Sequence, residues 1–401
     1  TPMRLAVSFT NLGPYHLARL RALAAALHRE GGELLVYETA GTERRYPWLT
    51  PRSEEPFTWT TLFPGRSVES VPASSCAEAI SEALTRDLPD VVALCGYVRP
   101  ECLSALEWSK RYRRLSVLMS ESQRIDRPRV WWKEAIKRRR VQRFDAALVG
   151  GASHRDYLVE LGLPIHRIAL GYNAVDNLRY ARLSERARTD LVARQSVPVR
   201  PYFLCVARFV PEKNLTTLVH AFARYRESAD PHSAWDLALC GSGPDEAEVE
   251  HLIRSLGLSD AIHRPGFLQA DELAVWYAFA SGFVLPSVSE PWGLVVNEAA
   301  ACGLPLLVSD RAGCAQTLVP DPPGTTGLRF DPWDVEAMTA SLAWLSIVSP
   351  EERSRLGRCS ASVVAQWGPD RFARGMVEAI SLARQVPHPS RSAAPKRVVT
   401  P

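Results

Sequence analysis

Short apolar runs alternate with amphipathic stretches along the first half of the chain, a pattern that predicts a parallel sheet covered by helices on both faces. Arg4–Phe9, Glu33–Tyr37, Val91–Leu94, Leu115–Met119, Ala146–Val149 and Arg167–Ala169 read as strands. Between the first two, Leu17, Leu20, Leu23, Ala24 and Leu27 recur at helical spacing within Tyr15–Arg29, and Gly31-Gly32 ends that helix as a left-handed cap requires. A second alternating series begins at Tyr202–Ala207 and continues through Asp236–Cys240, Ala261–His263, Gly282–Leu285 and Pro305–Val308. The intervening stretch, Arg179–Pro201, is charged, poor in large apolar residues and closed by prolines, so it reads as a linker.

The pattern therefore predicts two doubly wound α/β domains, 1–195 and 201–366, and 401 residues suffice for a core in each. Ligands of such sheets bind beyond the carboxyl ends of their strands, so a cleft between the two domains is the expected site. Trp367–Arg374 leads into a last helix, 370–384, and the Pro-, Ser- and Arg-containing remainder, 385–401, reads as a disordered tail. A hydrophobic content of 46% and a charged content of 23% indicate a globular protein. No apolar run approaches the roughly 18–20 residues that span a bilayer. With the strand Arg4–Phe9 so early, no signal peptide is expected, and the eight cysteines show no C-x-x-C spacing. Reduced structural thiols, no metal site and a cytoplasmic location are the expectation.

Charge changes the picture in one place. Between Lys110 and Arg143 stand thirteen Lys or Arg against three acids, so the net charge of +4 conceals a basic patch on an otherwise acidic chain. Its densest part, 131–143, mixes Trp131 and Trp132 with Lys133, Lys137, Arg138, Arg139 and Arg140 on a potential helix. That composition suits peripheral contact with an anionic membrane, at its inner face. The competing readings are a solvated helix with inward-packed tryptophans and a nucleic-acid site; no nucleic acid is expected.

The most informative chemistry lies in Ser289-Glu290-Pro291-Trp292-Gly293-Leu294-Val295-Val296-Asn297-Glu298. Two carboxylates stand eight positions apart, the first on a loop after an apolar strand, the second inside an alanine-rich helical segment. Unpaired N–H groups and the helix dipole make a loop entering a helix an anion site, around which the glutamates can bond hydroxyls. A phosphate with sugar hydroxyls implies a nucleotide sugar. Upstream, Arg208 and Lys213 stand five apart after the strand Tyr202–Ala207, where a guanidinium fork and an ammonium can converge on one pyrophosphate.

These two blocks resemble the Glu-x7-Glu and Arg-x4-Lys motifs of the family-4 glycosyltransferases, retaining enzymes of the GT-B architecture. The resemblance implies that Arg208 and Lys213 hold the diphosphate and that Glu298 meets the ribose. It places Glu290 at the transferred sugar's hydroxyls, with backbone N–H groups of Trp292, Gly293, Leu294 and Val295 facing the donor. Leu239–Pro244, carrying Gly241 and Gly243, resembles the family's loop beside the nucleotide, and Arg264–Leu268 resembles the segment meeting the base, with Phe267 equally a core candidate. It also implies that the last helix crosses back onto the first domain. In that domain Gly13 precedes a helix start that could receive a phosphate, and His16 is either an acceptor contact or a helix residue. Family members often carry a His beside an acid where this chain has Ser120-Glu121-Ser122-Gln123-Arg124, leaving Glu121, Ser122 and Arg124 as acceptor-side candidates.

Departure of a diphosphate from an anomeric carbon requires positive charge on the phosphates. No two aspartates stand two apart, so the D-x-D device for presenting a divalent metal is absent and cations must act instead. The expectation is a metal-independent, retaining glycosyltransferase needing no cofactor beyond its nucleoside-diphosphate-sugar donor, UDP- or GDP-linked, and acting on a carbohydrate or lipid-linked acceptor. The alternatives are another GT-B activity, such as a nucleotide-sugar epimerase or phosphorylase, and a catalytically silent sugar-nucleotide-binding protein.

Overall fold

The computed structural model describes residues 2–44, 50, 53–126 and 128–387. The chain divides into two compact units, Thr1–Arg124 with Pro128–Ala174 and Pro369–Pro401, and Val175–Gly368 with Ile125–Arg127.

The first unit holds a sheet of strands β1 (Arg4–Phe9), β2 (Glu33–Thr42), β3 (Thr58–Ser67), β4 (Val91–Leu94), β5 (Leu115–Ser120), β6 (Ala146–Val149) and β7 (Ile168–Leu170). Their order is β3-β2-β1-β4-β5-β6-β7, with every pairing parallel. Alternate residues of one strand feed two cores, which is why the strands read as unbroken apolar runs. Leu5, Val7 and Phe9 join Leu20, Leu23 and Leu27 of the helix Pro14–Arg29, together with Phe372, Met376 and Ile380 of the last helix, Pro369–Arg384. Ala6, Leu35, Val92 and Leu94 bury on the other face with Ile80, Leu106, Trp108 and Phe144. The final helix is thus part of the first unit, and burying residues such as Phe372 or Met376 stabilises that attachment by roughly 1.5–3 kcal/mol each. The first helix ends as its glycines predict. Gly31, at φ +72°, donates to the His28 carbonyl, and Gly32 donates to that of Leu27 at 2.8 Å, a Schellman cap.

The second unit repeats the plan with β8 (Tyr202–Val206), β9 (Asp236–Cys240), β10 (Ile262–Gly266), β11 (Gly282–Leu285), β12 (Leu306–Ser309) and β13 (Gly327–Phe330). The order β10-β9-β8-β11-β12-β13 is again wholly parallel. Strand order reverses between β8 and β11, so the loops leaving these two strands are neighbours at the switch point, where ligands of open α/β sheets bind.

The structure corrects three sequence expectations. Residues 179–201 are not a linker: the helices Asn177–Thr189 and Leu191–Gln195 occupy most of them, and the units part at 174/175 instead of 195. Tyr180, Ser184 and Ala187 form a buried stripe, and Arg188 donates to the carbonyls of Ala278 (3.2 Å) and Cys302 (2.8 Å) of the second unit. Strands β3 and β13 were not anticipated. β3 is a half-exposed edge strand of sequence TWTTLFPGRS, and β13 has four residues including an arginine, so neither carries an apolar run. Finally, β10 extends past its expected end through Pro265, which an edge strand tolerates. Of the expected tail 385–401, residues from 388 onward lie outside the described residues.

All eight cysteines are free, six of them buried. Burial pushes the thiols of Cys205 and Cys302 up to about 12, so neither is a nucleophile near neutrality. Among the described residues, no helix is long and apolar enough to cross a membrane.

Candidate functional site

In the second unit the loop leaving β8 turns through Arg208 into a short 3-10 helix, Pro211–Lys213. Asn214 ends that turn in the left-handed conformation, φ +58°, and its side-chain amide donates to the carbonyls of Pro286 (3.1 Å) and Pro332 (2.8 Å). The Glu212 carbonyl accepts from Val288 N–H at 2.9 Å. These bonds fasten the β8 loop to the β11 loop, and they deliver Lys213 to Glu290. The Lys213 ammonium and the Glu290 carboxylate form a close, largely buried ion pair, with the Ser287 hydroxyl 3.4 Å from the same carboxylate oxygen.

Glu290 is held from behind by 311–314. Gly313 N–H donates to the Glu290 carbonyl at 3.0 Å, Cys314 N–H to that of Trp292 at 3.1 Å, and Glu290 pairs with Ala312 in an isolated parallel bridge. Gly293, at φ +101°, makes the left-handed turn that starts the helix Leu294–Ala301, a conformation few other residues adopt without strain. Leu294 and Val295 open that helix, where backbone N–H groups lack intrahelical partners. The Trp292 side chain is buried, donates from its indole N–H to Asn297 Oδ1 at 2.8 Å, and packs on Trp367 with ring centroids 5.1 Å apart.

Glu298 lies one helical turn further on and is buried. It accepts a 2.8 Å bond from the Tyr277 hydroxyl of the helix Ala270–Phe279, which fixes one carboxylate oxygen. Gly241 and Gly243 answer to packing. A Cβ on Gly241 would overlap the Ala207 carbonyl, and one on Gly243 the Phe209 carbonyl, because the loops after β8 and β9 press directly together. Phe209 N–H bonds the Ser242 carbonyl at 2.9 Å across the same contact. Phe267, following β10, is 48% exposed and is no part of the core.

In the first unit the expected anion loop is internally satisfied. Leu12 N–H donates to Glu38 at 3.1 Å and Gly13 N–H to His16 Nδ1 at 3.0 Å, while Gly13 has an ordinary extended φ of −94°. His16 is therefore an N-terminal capping partner. Accepting at Nδ1 puts its proton on Nε2, and desolvation, followed by the Arg19 charge, lowers its pKa to about 3. The same arrangement recurs at Gly151 and His154, at 3.1 Å. Glu121 accepts a close bond from the Asn173 amide, and Ser122 N–H donates to Ser120 Oγ at 3.2 Å. Arg124 pairs with Glu160 on the surface, separately from this cluster.

Residues 190–361 match the family described as Glycosyl transferases group 1. That segment is similar to the family-4 glycosyltransferases, and the two-sheet fold of the chain is that of the GT-B architecture. It is 32% identical over 254 residues to the MMP alpha-(1->4)-mannosyltransferase of Mycolicibacterium hassiacum, covering 59% of this chain and 57% of that one. To the GDP-mannose-dependent alpha-(1-6)-phosphatidylinositol monomannoside mannosyltransferase of Mycolicibacterium smegmatis it is 29% identical, over 46% of this chain and 48% of that one. The match thus spans about half the length of these curated relatives. The fold is similar to that of sucrose-phosphate synthase from Thermosynechococcus elongatus, with a TM-score of 0.74 at 21% identity over 94% of this chain and 98% of that one. It is also similar to Anabaena Alr3699/HepE in complex with UDP and glucose, with a TM-score of 0.70 at 16% identity over 94% and 99%.

Arg208, Lys213, Glu290 and Glu298 all fall inside the matched segment, whereas Gly13, His16, Glu121, Ser122 and Arg124 lie outside it. Motif reading missed Asn214, which anchors the turn after Lys213; Ser287 and Tyr277, which bond Glu290 and Glu298; and Asn297, which accepts from the Trp292 indole. It also missed Arg19 and Asn173 in the first unit. Arg19 is buried, donates from Nε to the Ala174 carbonyl at 2.9 Å and lies 5.4 Å from the Tyr172 ring centroid. The available signal was a cation flanking the apolar stripe of the first helix. Among the described residues, no group of three or more His, Cys, Asp or Glu could hold a metal ion.

Proposed function

We propose that the chain transfers a sugar from a UDP- or GDP-linked donor to a carbohydrate or lipid-linked acceptor, with retention of configuration, at the inner face of a membrane. The observation carrying this reading is the Lys213–Glu290 pair at the β8/β11 switch point, on the loop that leads into the helix of the anchored Glu298. The relatives' printed activities, mannosyl transfer from GDP-mannose to a phosphatidylinositol mannoside among them, support it.

In this mechanism the donor diphosphate lies against Arg208 and Lys213, and Lys213 exchanges part of its contact with Glu290 for phosphate oxygens. Freed acceptor capacity on Glu290 then bonds hydroxyls of the transferred sugar, while Glu298, held by Tyr277, bonds the ribose. The anomeric C–O bond to phosphate breaks, and the acceptor oxygen forms its bond on the same face. The acceptor's proton passes to the departing phosphate oxygen. Cations and helix N–H groups stabilise the leaving charge, so the reaction proceeds without a divalent metal. Product analysis tests the reading: a glycosidic product with retained configuration, formed in the presence of chelator, is expected. Conversion of donor without acceptor would identify an epimerase, and a requirement for free phosphate a phosphorylase.

A further inference from the structure

The helix Trp131–Val141 belongs to the first unit and buries only Val141. Its inner side is fastened by a charged cluster. Glu134 accepts from Lys137 at 2.8 Å and from the Tyr157 hydroxyl at 2.7 Å, while Arg129 donates to Tyr157 at 2.8 Å and lies over its ring at 4.3 Å. Arg138 donates to the Glu160 carbonyl, and Arg143 pairs with Glu107. These contacts fix which way the helix faces.

The opposite side carries Trp132, 47% exposed, and Ile136, 42%, and Trp131, 82% exposed, stands at the first position of the helix. Trp132, Ile136 and Arg139 follow at i, i+4 and i+7, one stripe of the helix, with Lys133 against the Trp132 ring at 5.3 Å. Arg139 is exposed and has no partner among the described residues. The reading of inward-packed tryptophans therefore fails, and the chain leaves two indoles and an isoleucine in water beside uncommitted cations. That combination needs an occupant with both an apolar layer and negative charge.

We infer that this face docks on an anionic bilayer, with Trp131, Trp132 and Ile136 at headgroup depth and Lys133 and Arg139 on lipid phosphates. A nucleic acid would satisfy the cations and leave Ile136 exposed to water. An apolar protein partner would desolvate Arg139 at a cost. The inference shares with the proposed reaction only its location, since it rests on surface residues remote in sequence from Arg208, Lys213, Glu290 and Glu298.

The test is sedimentation of the full chain with vesicles of phosphatidylglycerol and phosphatidylcholine, against phosphatidylcholine alone, at low and high salt. Binding to the anionic vesicles only, weakened by salt, is expected. Lys133→Ala with Arg139→Ala lowers it on the order of tenfold, and Trp131→Ser with Trp132→Ser abolishes it at an unchanged Tm. Should the tryptophan pair lower Tm, the charge pair alone carries the test. Indifference of the wild type to anionic lipid, wild-type binding by the charge pair, tryptophan-dependent dimerisation, or a preference for an RNA oligonucleotide would each overturn the inference. No donor enters the assay, so its failure leaves the transfer reaction standing, and an inactive donor site leaves vesicle binding intact.

Discussion

Lys213 and Glu290 face each other as a largely buried ion pair, although 77 positions separate them in sequence. Asn214 makes the pair possible by fastening the turn after Lys213 to Pro286 and Pro332. Lys213→Ala removes the ammonium from this ion pair and, on the proposed reading, one of the cations that hold the diphosphate. Nucleotide-sugar affinity is expected to fall at least about tenfold, with a stability loss of about 1–3 kcal/mol from the broken, largely buried ion pair. Calorimetric titration and urea unfolding measure the two effects separately.

Tyr277→Phe removes one hydroxyl and with it a hydrogen bond to the buried carboxylate of Glu298. A hydrogen bond to a charged group contributes about 1.5–3 kcal/mol, so the variant should unfold at lower urea. Donor affinity should fall with it if Glu298 meets the ribose as proposed, because the bond that fixes its carboxylate is lost. A Tyr277→Phe protein with wild-type affinity would remove Tyr277 from the site.

Gly243→Ala distinguishes a packing glycine from a ligand-approach glycine. The added methyl meets the Phe209 carbonyl whether or not a donor is present. Destabilisation of the ligand-free protein by about 1–3 kcal/mol is expected from such overpacking. A stable variant that merely binds nucleotide poorly would show that the loop is shaped by the ligand instead.

His16 gives a pH signature. Its folded-state pKa, about 3, lies below the unfolded value near 6.5, so the unfolded chain takes up a proton that the folded chain refuses. The contribution of His16 is complete above pH 6.5 and is lost progressively as pH falls toward 3, by at most about 1.4 kcal/mol per unit. His16→Gln keeps an acceptor at the third helical position for Gly13 N–H while removing the titration. Its stability should decline less steeply than wild type between pH 6.5 and 4.5, read from urea midpoints.

Strands buried on both faces were legible because each carries a continuous apolar run, as β1 and β8 do, and Gly31-Gly32 announced the first helix end. The edge strands β3 and β13 lack that run, so their pairing depends on neighbours distant in sequence. The helix at 177–189 was hidden by its own surface: three small or aromatic residues bury while the charges around them dominate composition. At the site, Glu290, Glu298, Arg208 and Lys213 were visible as motif spacing. Tyr277, Asn214 and Ser287 were not, since a supporting hydrogen bond leaves no local pattern. Trp292 and the two loop glycines show the converse, positions within a motif whose side chains, or lack of them, serve packing.

The most direct measurement is calorimetric titration of the wild type, Arg208→Ala and Glu298→Ala with a panel of UDP- and GDP-sugars. Saturable binding of at least one compound by the wild type, weakened at least tenfold in each variant with Tm retained, is the predicted result. Equal affinity in all three proteins, or no binding by the wild type, would contradict a nucleotide-sugar site in the second unit.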